Sequence, residues 1–303
     1  MIPIGLALLA AQIAAGPRDD SLATRISSRI AAVPGARVGV AYRHLARRDT
    51  LYLNADTSFH AASTMKVPVM IELFRRADAR RLKLDQAIPL ANQFRSIVDG
   101  SPYSLDPADD SDSSLYARVG ERVPVRELLE HMITRSSNLA TNAVIALVGG
   151  GEPVTRTMRA LGAARIEVRR GVEDGKAYER GLNNTTTARD LAVILAAIAQ
   201  DRAASPASCA AMRDILSRQE FNDAIPAGLP PGTRVAHKTG WITATSHDAA
   251  IVYPPGDDPY VLVVLTAGIP DERVAKALIA DISRLVYEHT RQPGGSAARR
   301  PGD

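Results

Sequence analysis

Pro230-Pro231-Gly232 marks a change of texture, followed by Val235-Ala236-His237-Lys238-Thr239, Ala249-Ala250-Ile251-Val252-Tyr253 and Tyr260-Val261-Leu262-Val263-Val264-Leu265-Thr266-Ala267. Short apolar or alternating runs rich in β-branched residues and bounded by turn formers read as strands. Pro254-Pro255-Gly256-Asp257 supplies the turn between the last two. Beyond them, Val274, Leu278, Ile282 and Leu285 recur at helical spacing and predict a closing amphipathic helix.

The opposite end of the chain has the same texture. Leu22, Ile26 and Ile30 keep helical spacing until Pro34-Gly35. Val38, Val40 and Tyr42 then alternate with Gly39 and Ala41, and Leu51-Tyr52-Leu53 forms a hairpin partner across Arg47-Arg48-Asp49. Between the two ends, from about residue 70 to 218, the pattern is mostly helical. Val125 to Met132, Leu139 to Val148, Leu191 to Ile198 after Thr185-Thr186-Thr187, and Met212, Ile215 and Leu216 mark its helices. Asp106 to Ser114, acidic and Ser-rich, reads as a surface loop.

Strands at both ends with helices between predict an α/β fold of the α+β two-domain kind. Its antiparallel sheet, flanked by helices, is built from residues 20–62 and 219–290, with a helical domain inserted at 63–218. Residues 291–303 read as a disordered tail. Ligand sites favour such domain seams.

Three short peptides bear chemistry: Ser63-Thr64-Met65-Lys66, Ser136-Ser137-Asn138 and Lys238-Thr239-Gly240. Ser63 and Lys66 are spaced to lie one helical turn apart on one face. A serine at a helix start gains from the positive end of the dipole, and a lysine one turn on can manage its proton. Lys238, Thr239 and Gly240 offer an ammonium, a hydroxyl and open backbone N–H groups to an anionic substrate. Alone, a Ser-x-x-Lys match is expected by accident roughly once in a chain this long. The ordered set of three describes a serine acyl-transfer site.

The bulk numbers permit this and exclude other classes. With 303 residues, 46% of them hydrophobic, the chain can bury a substantial core. The net charge of +4 is spread over pairs such as Arg47-Arg48 and Arg75-Arg76, without the basic stripe that a nucleic-acid partner requires. Cys209 is the only cysteine, so no intrachain disulfide forms, and its Ala-rich surroundings read as core. His44, His60, His131, His237, His247 and His289 make no metal-ligand spacing, and no cofactor or metal is expected. Residues 2–15 are too short for a membrane span. They read as the apolar part of a signal peptide cleaved near Ala15, without a charged leading region, which predicts a periplasmic or secreted protein.

Over residues 20 to 290 the chain resembles the class A-type serine β-lactamases, within the penicillin-recognising serine enzymes. The three peptides carry the likeness, with Met132 to Asn142, Leu229 to Gly240 and Ala250 to Gly256 around them. The resemblance implies that Ser63 is the nucleophile that opens a β-lactam ring, Lys66 accepts or relays its proton, and Ser136 protonates the leaving nitrogen. Asn138 would hold the substrate's amide side chain, and Lys238 and Thr239 its carboxylate. The amides of Ser63 and Trp241, the latter beside Gly240, would form the oxyanion hole. It further implies a monomer that takes a small β-lactam and makes no stable insertion into membranes.

Two departures stand out. The second motif of such enzymes carries Asp in its middle, where this chain has Ser137. Their water-activating Glu lies on an Ω-shaped loop in a Glu-x-x-Leu-Asn context; the equivalent stretch here, Arg169 to Asn184, has those letters only near its end, at Glu179 to Asn183. Glu173 is the expected base, with Glu179 in reserve, against a reading in which both only pair with flanking arginines. The expected arginine after the third motif is also missing, and His247 is its candidate substitute. A penicillin-binding D,D-peptidase that deacylates slowly, and a non-catalytic binding protein, are the competing functions.

Overall fold

The computed structural model describes residues 21–292. The expected leader, 1–15, lies outside them, as does the expected tail beyond Gln292. The order of elements is α1 (Leu22–Ala31), β1 (Arg37–His44), β2 (Thr50–Leu53), β3 (Phe59–His60), a 3-10 turn (Ala62–Met65) and α2 (Lys66–Asp78). Then come β4 (Ala87–Pro89), β5 (Phe94–Arg95), β6 (Pro102–Tyr103), β7 (Arg122–Pro124), α3 (Val125–Thr134), α4 (Asn138–Leu147) and α5 (Gly151–Ala160). The chain continues through α6 (Gly175–Glu179), β8 (Thr185–Thr186), α7 (Ala188–Ala199) and α8 (Pro206–Leu216). It closes with β9 (Arg234–Ile242), β10 (Thr245–Tyr253), β11 (Tyr260–Ala267) and α9 (Glu272–Thr290).

The main sheet has five strands in the order β2-β1-β11-β10-β9. It is antiparallel throughout, and β1 pairs with β11 over its whole length, Arg37 opposite Ala267 and His44 opposite Tyr260. The two ends of the sequence are thus stitched together in its centre, as their strand texture predicts. The hairpin partner of β1 is as expected, with Tyr52 opposite Ala41.

Alternation along the strands divides the core. Val38, Val40, Tyr42, Leu262 and Val264 face α1 and α9, where Ile26, Leu278, Ile279, Ile282 and Val286 cover them. Ala41, Ile251, Val261, Val263 and Leu265 face the helical body, in one apolar cluster with Leu191, Ile194 and Leu195 of α7. The buried stripe of α9 corrects the expected one by a residue at each end. Ala275 and Val286 are buried, whereas Val274 is exposed and Leu285 only partly covered.

Two further expectations are corrected. The stretch between residues 85 and 125 holds no α-helix and carries instead the short pairs β4–β7 and β5–β6 and a 3-10 turn at Ser113–Arg118. The acidic segment 106–114 is not merely a surface loop either. Asp110 and Asp112 within it are buried, because each accepts hydrogen bonds from backbone or side-chain donors of the helical body.

Candidate active site

Ser63 stands on the 3-10 turn just before α2, rather than on the α-helix itself, and Lys66 is the first α-helical residue. Pro68 then falls in the first turn of α2, where a missing N–H costs nothing. The turn is pinned from several sides. Ala61 N donates to Asn184 O at 2.8 Å, Ala62 N to His60 Nδ1 at 3.1 Å, and Thr64 N to Ala61 O at 3.1 Å. Ala62 has φ 44°, a left-handed conformation unusual outside glycine.

β9, the edge strand of the sheet, runs past this turn. A Cβ on Gly240 would stand 2.8 Å from Ser63 N and 2.9 Å from Thr64 N. Only glycine allows so close an approach, and it brings the first and third motifs side by side.

Lys66 is fully buried. Its ammonium donates to Ser136 O, to Ser136 Oγ at 3.1 Å and to Asn138 Oδ1 at 3.0 Å. Burial pulls its pKa down to about 7, against the opposing charges of Asp110 and Glu173. Lys238 is equally buried, and its Nζ donates to Ser136 Oγ at 3.0 Å. Burial first, and the neighbouring Lys66 second, push its pKa down as well. Two lysines from distant elements therefore converge on one hydroxyl. Ser136 presents it from a backbone at φ 62° in the break between α3 and α4.

Asn138 opens α4 and ties the lysine to a carboxylate: its Nδ2 donates to Glu173 Oε1 at 2.8 Å. Glu173 lies half-buried in the 168–184 loop with φ 61°. Burial raises its pKa, and the hydrogen bond from Asn138 opposes the rise. Asn142 clamps the loop by accepting from Val172 N at 2.6 Å and donating to Val172 O at 3.0 Å. Asn184 closes its neck on Arg169 N and Arg170 N at 2.7 and 3.0 Å.

A cleft of about 630 Å³ runs between these parts, lined by Ser63, Asn138, Glu173, Trp241, Arg170 and Tyr178 among others. A second hollow of about 440 Å³ between α2 and α5 holds none of the three motifs. Trp241 presents its ring edge-on to Phe221, with centroids 5.0 Å apart, and so forms a wall of the cleft as well as part of the β9 backbone. Thr239 points to the other face of β9, where its Oγ1 is buried without a hydrogen-bond partner among the described residues.

Two candidates are displaced. Glu179 is exposed at the end of α6 and does not line the cleft. His247 is buried, its Nε2–H donating to His60 O at 2.9 Å while Nδ1 accepts from Thr266 N at 3.2 Å. Both ring nitrogens are spent inside the fold, and burial holds its pKa down to about 4. It is a neutral strut and not a substitute for a carboxylate-binding arginine. Glu173, by contrast, pairs with no arginine among the described residues and accepts from Asn138.

Sequence reasoning passed over Asp110, Asn142 and Asn184. All three act on backbone groups at least 14 residues away, and no local pattern announces such ties. Among the described residues no cluster of three or more His, Cys, Asp or Glu is placed to hold a metal.

Ser63 lining the cleft, the Ser136 hydroxyl held between two buried lysines and a positioned Glu173 carboxylate, at the seam of a sheet and a helical body, define a serine acyl-transfer enzyme. The profile of the Beta-lactamase enzyme family matches residues 21–290, and the chain belongs to that family. It is 29% identical to a β-lactamase of Streptomyces fradiae, over 94% of this chain and 93% of that one. An ancestral class A β-lactamase superposes with a TM-score of 0.77 at 29% identity, covering 88% of this chain and 99% of its own. PBP-A superposes with a TM-score of 0.76 at 28% identity, covering 89% and 95%.

Proposed function

We propose that this enzyme hydrolyses the lactam amide of penicillin- or cephalosporin-type compounds through an acyl-enzyme on Ser63. The neutral amine of Lys66 takes the Ser63 proton, and Oγ attacks the lactam carbonyl. The amides of Ser63 and Trp241 stabilise the oxyanion, each such donor contributing about 3 kcal/mol in the transition state. Ser136 hands a proton to the lactam nitrogen as the ring opens, its own being replaced from the lysines beside it. Lys238 receives the substrate carboxylate, whereas the buried hydroxyl of Thr239 faces the other side of β9 and takes no part in that contact. Asn138 orients the acylamino side chain. Glu173 then takes a proton from the water that attacks the ester, the ester C–O bond breaks, and a proton returned to the departing Ser63 oxygen restores both Glu173 and Ser63 as the product leaves.

The observation that carries this reading is the Glu173 carboxylate, held in the cleft and linked through Asn138 to Lys66. It favours turnover over a penicillin-binding peptidase that stays acylated, to which the likeness to PBP-A lends the second reading. Intact-mass spectra after mixing with benzylpenicillin separate the two. The wild type should clear the compound with only transient adduct, Ser63→Ala should form none, and Glu173→Gln should keep its adduct about 10²–10⁴ times longer. Wild-type turnover rates in Glu173→Gln would overturn the assigned base.

All of these groups come from one chain, which supports a monomer as the working unit. The apolar run at residues 2–15 supports export to the periplasm or medium, where such antibiotics are met and resistance would be exerted.

A further inference from the structure

The first turn of α4 has backbone N–H groups that no intrahelical carbonyl can satisfy. Ser137 caps one of them, accepting from Ala140 N at 3.2 Å. The carboxylate that covers the others comes from far off. Asp110 accepts from Asn138 N at 2.9 Å on both oxygens and from Leu139 N at 3.0 Å. It also receives the hydroxyls of Tyr116 at 3.0 Å and Ser137 at 3.4 Å, and the amide of Asp112 at 3.1 Å. Its neighbour Ser111 donates to Arg135 O at 2.8 Å and Ser136 O at 3.2 Å, the second of which also receives Lys66 Nζ.

We propose that Asp110 is the positioning residue of the second motif, supplying from a distant loop the carboxylate that Ser137 does not carry. It makes no contact with the cleft's reacting groups and acts through them. By gripping the amides of Asn138 and Leu139 it fixes the left-handed backbone of Ser136, and with it the hydroxyl shared by Lys66 and Lys238. The same grip sets the Asn138 side chain between Lys66 and Glu173. The carboxylate has a second effect, by charge. The groups facing Lys66 are Asp110 and Glu173, which favour its ammonium, and Lys238, which opposes it. Removing the Asp110 charge therefore lets Lys66 lose its proton at lower pH.

The inference rests on Ser63, Lys66 and Ser136 being the acylation machinery, and the test keeps the two apart. Acylation by benzylpenicillin is timed by quench and intact mass across the neutral pH range. The proteins are wild type, Ser63→Ala, Asp110→Ala, Asp110→Asn and Asp110→Ala/Ser137→Asp, with thermal melts for each. Asp110→Ala should acylate about a hundredfold more slowly. Ser137→Asp in that background, restoring a carboxylate to the same helix end, should recover at least about tenfold of the loss. Asp110→Asn, nearly isosteric and so expected to fold even if the alanine variant does not, should shift the rising limb of the pH profile to lower pH by on the order of one unit. A passive structural role moves no such limb. An Asp110→Asn profile superimposable on the wild type, or a folded Asp110→Ala variant within threefold of it, overturns the inference while leaving the nucleophile intact. An adduct persisting in Ser63→Ala overturns both.

Discussion

Lys66 is buried among polar atoms, with no carboxylate of the described residues in direct contact, an environment that suits the role of base proposed for it. With its pKa drawn down to about 7, a large fraction of the amine is neutral at neutral pH. The expected profile follows with its sign. Below about 7 the ammonium form dominates and acylation should fall about tenfold per pH unit, and above it the rate should level off. Glu173 favours the charged form of Lys66, so Glu173→Gln should move this limb to lower pH as well as trapping the adduct. Stopped-flow acylation with nitrocefin at a series of pH values checks both, and a limb fixed in place would show that another group titrates. Ser136 completes the arrangement: a hydroxyl between two amines stays hydrogen-bonded whichever of them carries the proton.

At the scale of elements, catalysis depends on how closely β9 lies against the Ser63 turn. Gly240→Ala would drive a methyl group into the amides of Ser63 and Thr64, so strand and turn must part. A displacement of this kind should lower kcat/KM about a hundredfold, with the protein still folded. Steady-state kinetics beside a thermal melt checks it, and unchanged kcat/KM would mean that the strand is free to shift. This element is also where the sequence is most and least readable. Ser63, Lys66, Ser136, Asn138, Lys238 and Gly240 stand in three short local patterns, because an active site needs fixed spacing within each element. Glu173 is reached only through the resemblance to the family's water-activating loop, since that loop is held by asparagine side chains rather than by a regular pattern. Asp110 was hidden, read as part of a surface loop, because its partners lie 28 and 29 residues away. Composition reported the charge of that segment but not its burial. The stripe of α9 slipped at its ends for a related reason: tertiary packing chose Ala275 and Val286 over larger or nearer apolar neighbours.

For the whole molecule, the two-sided sheet is the frame, and its layout was legible because strand texture occurs at both chain ends. β11 is buried over all eight residues between β1 and β10. On the face toward the helical body, α7 lies against it, with Leu195 fully buried. Leu195→Ala leaves a void there and should cost about 2–5 kcal/mol of stability. Urea titration checks the loss, and kcat of the folded fraction should be unchanged because no site residue touches the void.

The stitching of β1 to β11 also sets an order of events during biosynthesis. Ser63 emerges from the ribosome well before Lys238 and Gly240 are translated, and β9 is joined to β1 in the sheet only through β10 and β11. Until then the nascent polypeptide carries Ser63 without the neighbours that β9 brings to it. A copy that lacks the last strands lacks Lys238 and Gly240 as well, and with them the third part of the proposed site.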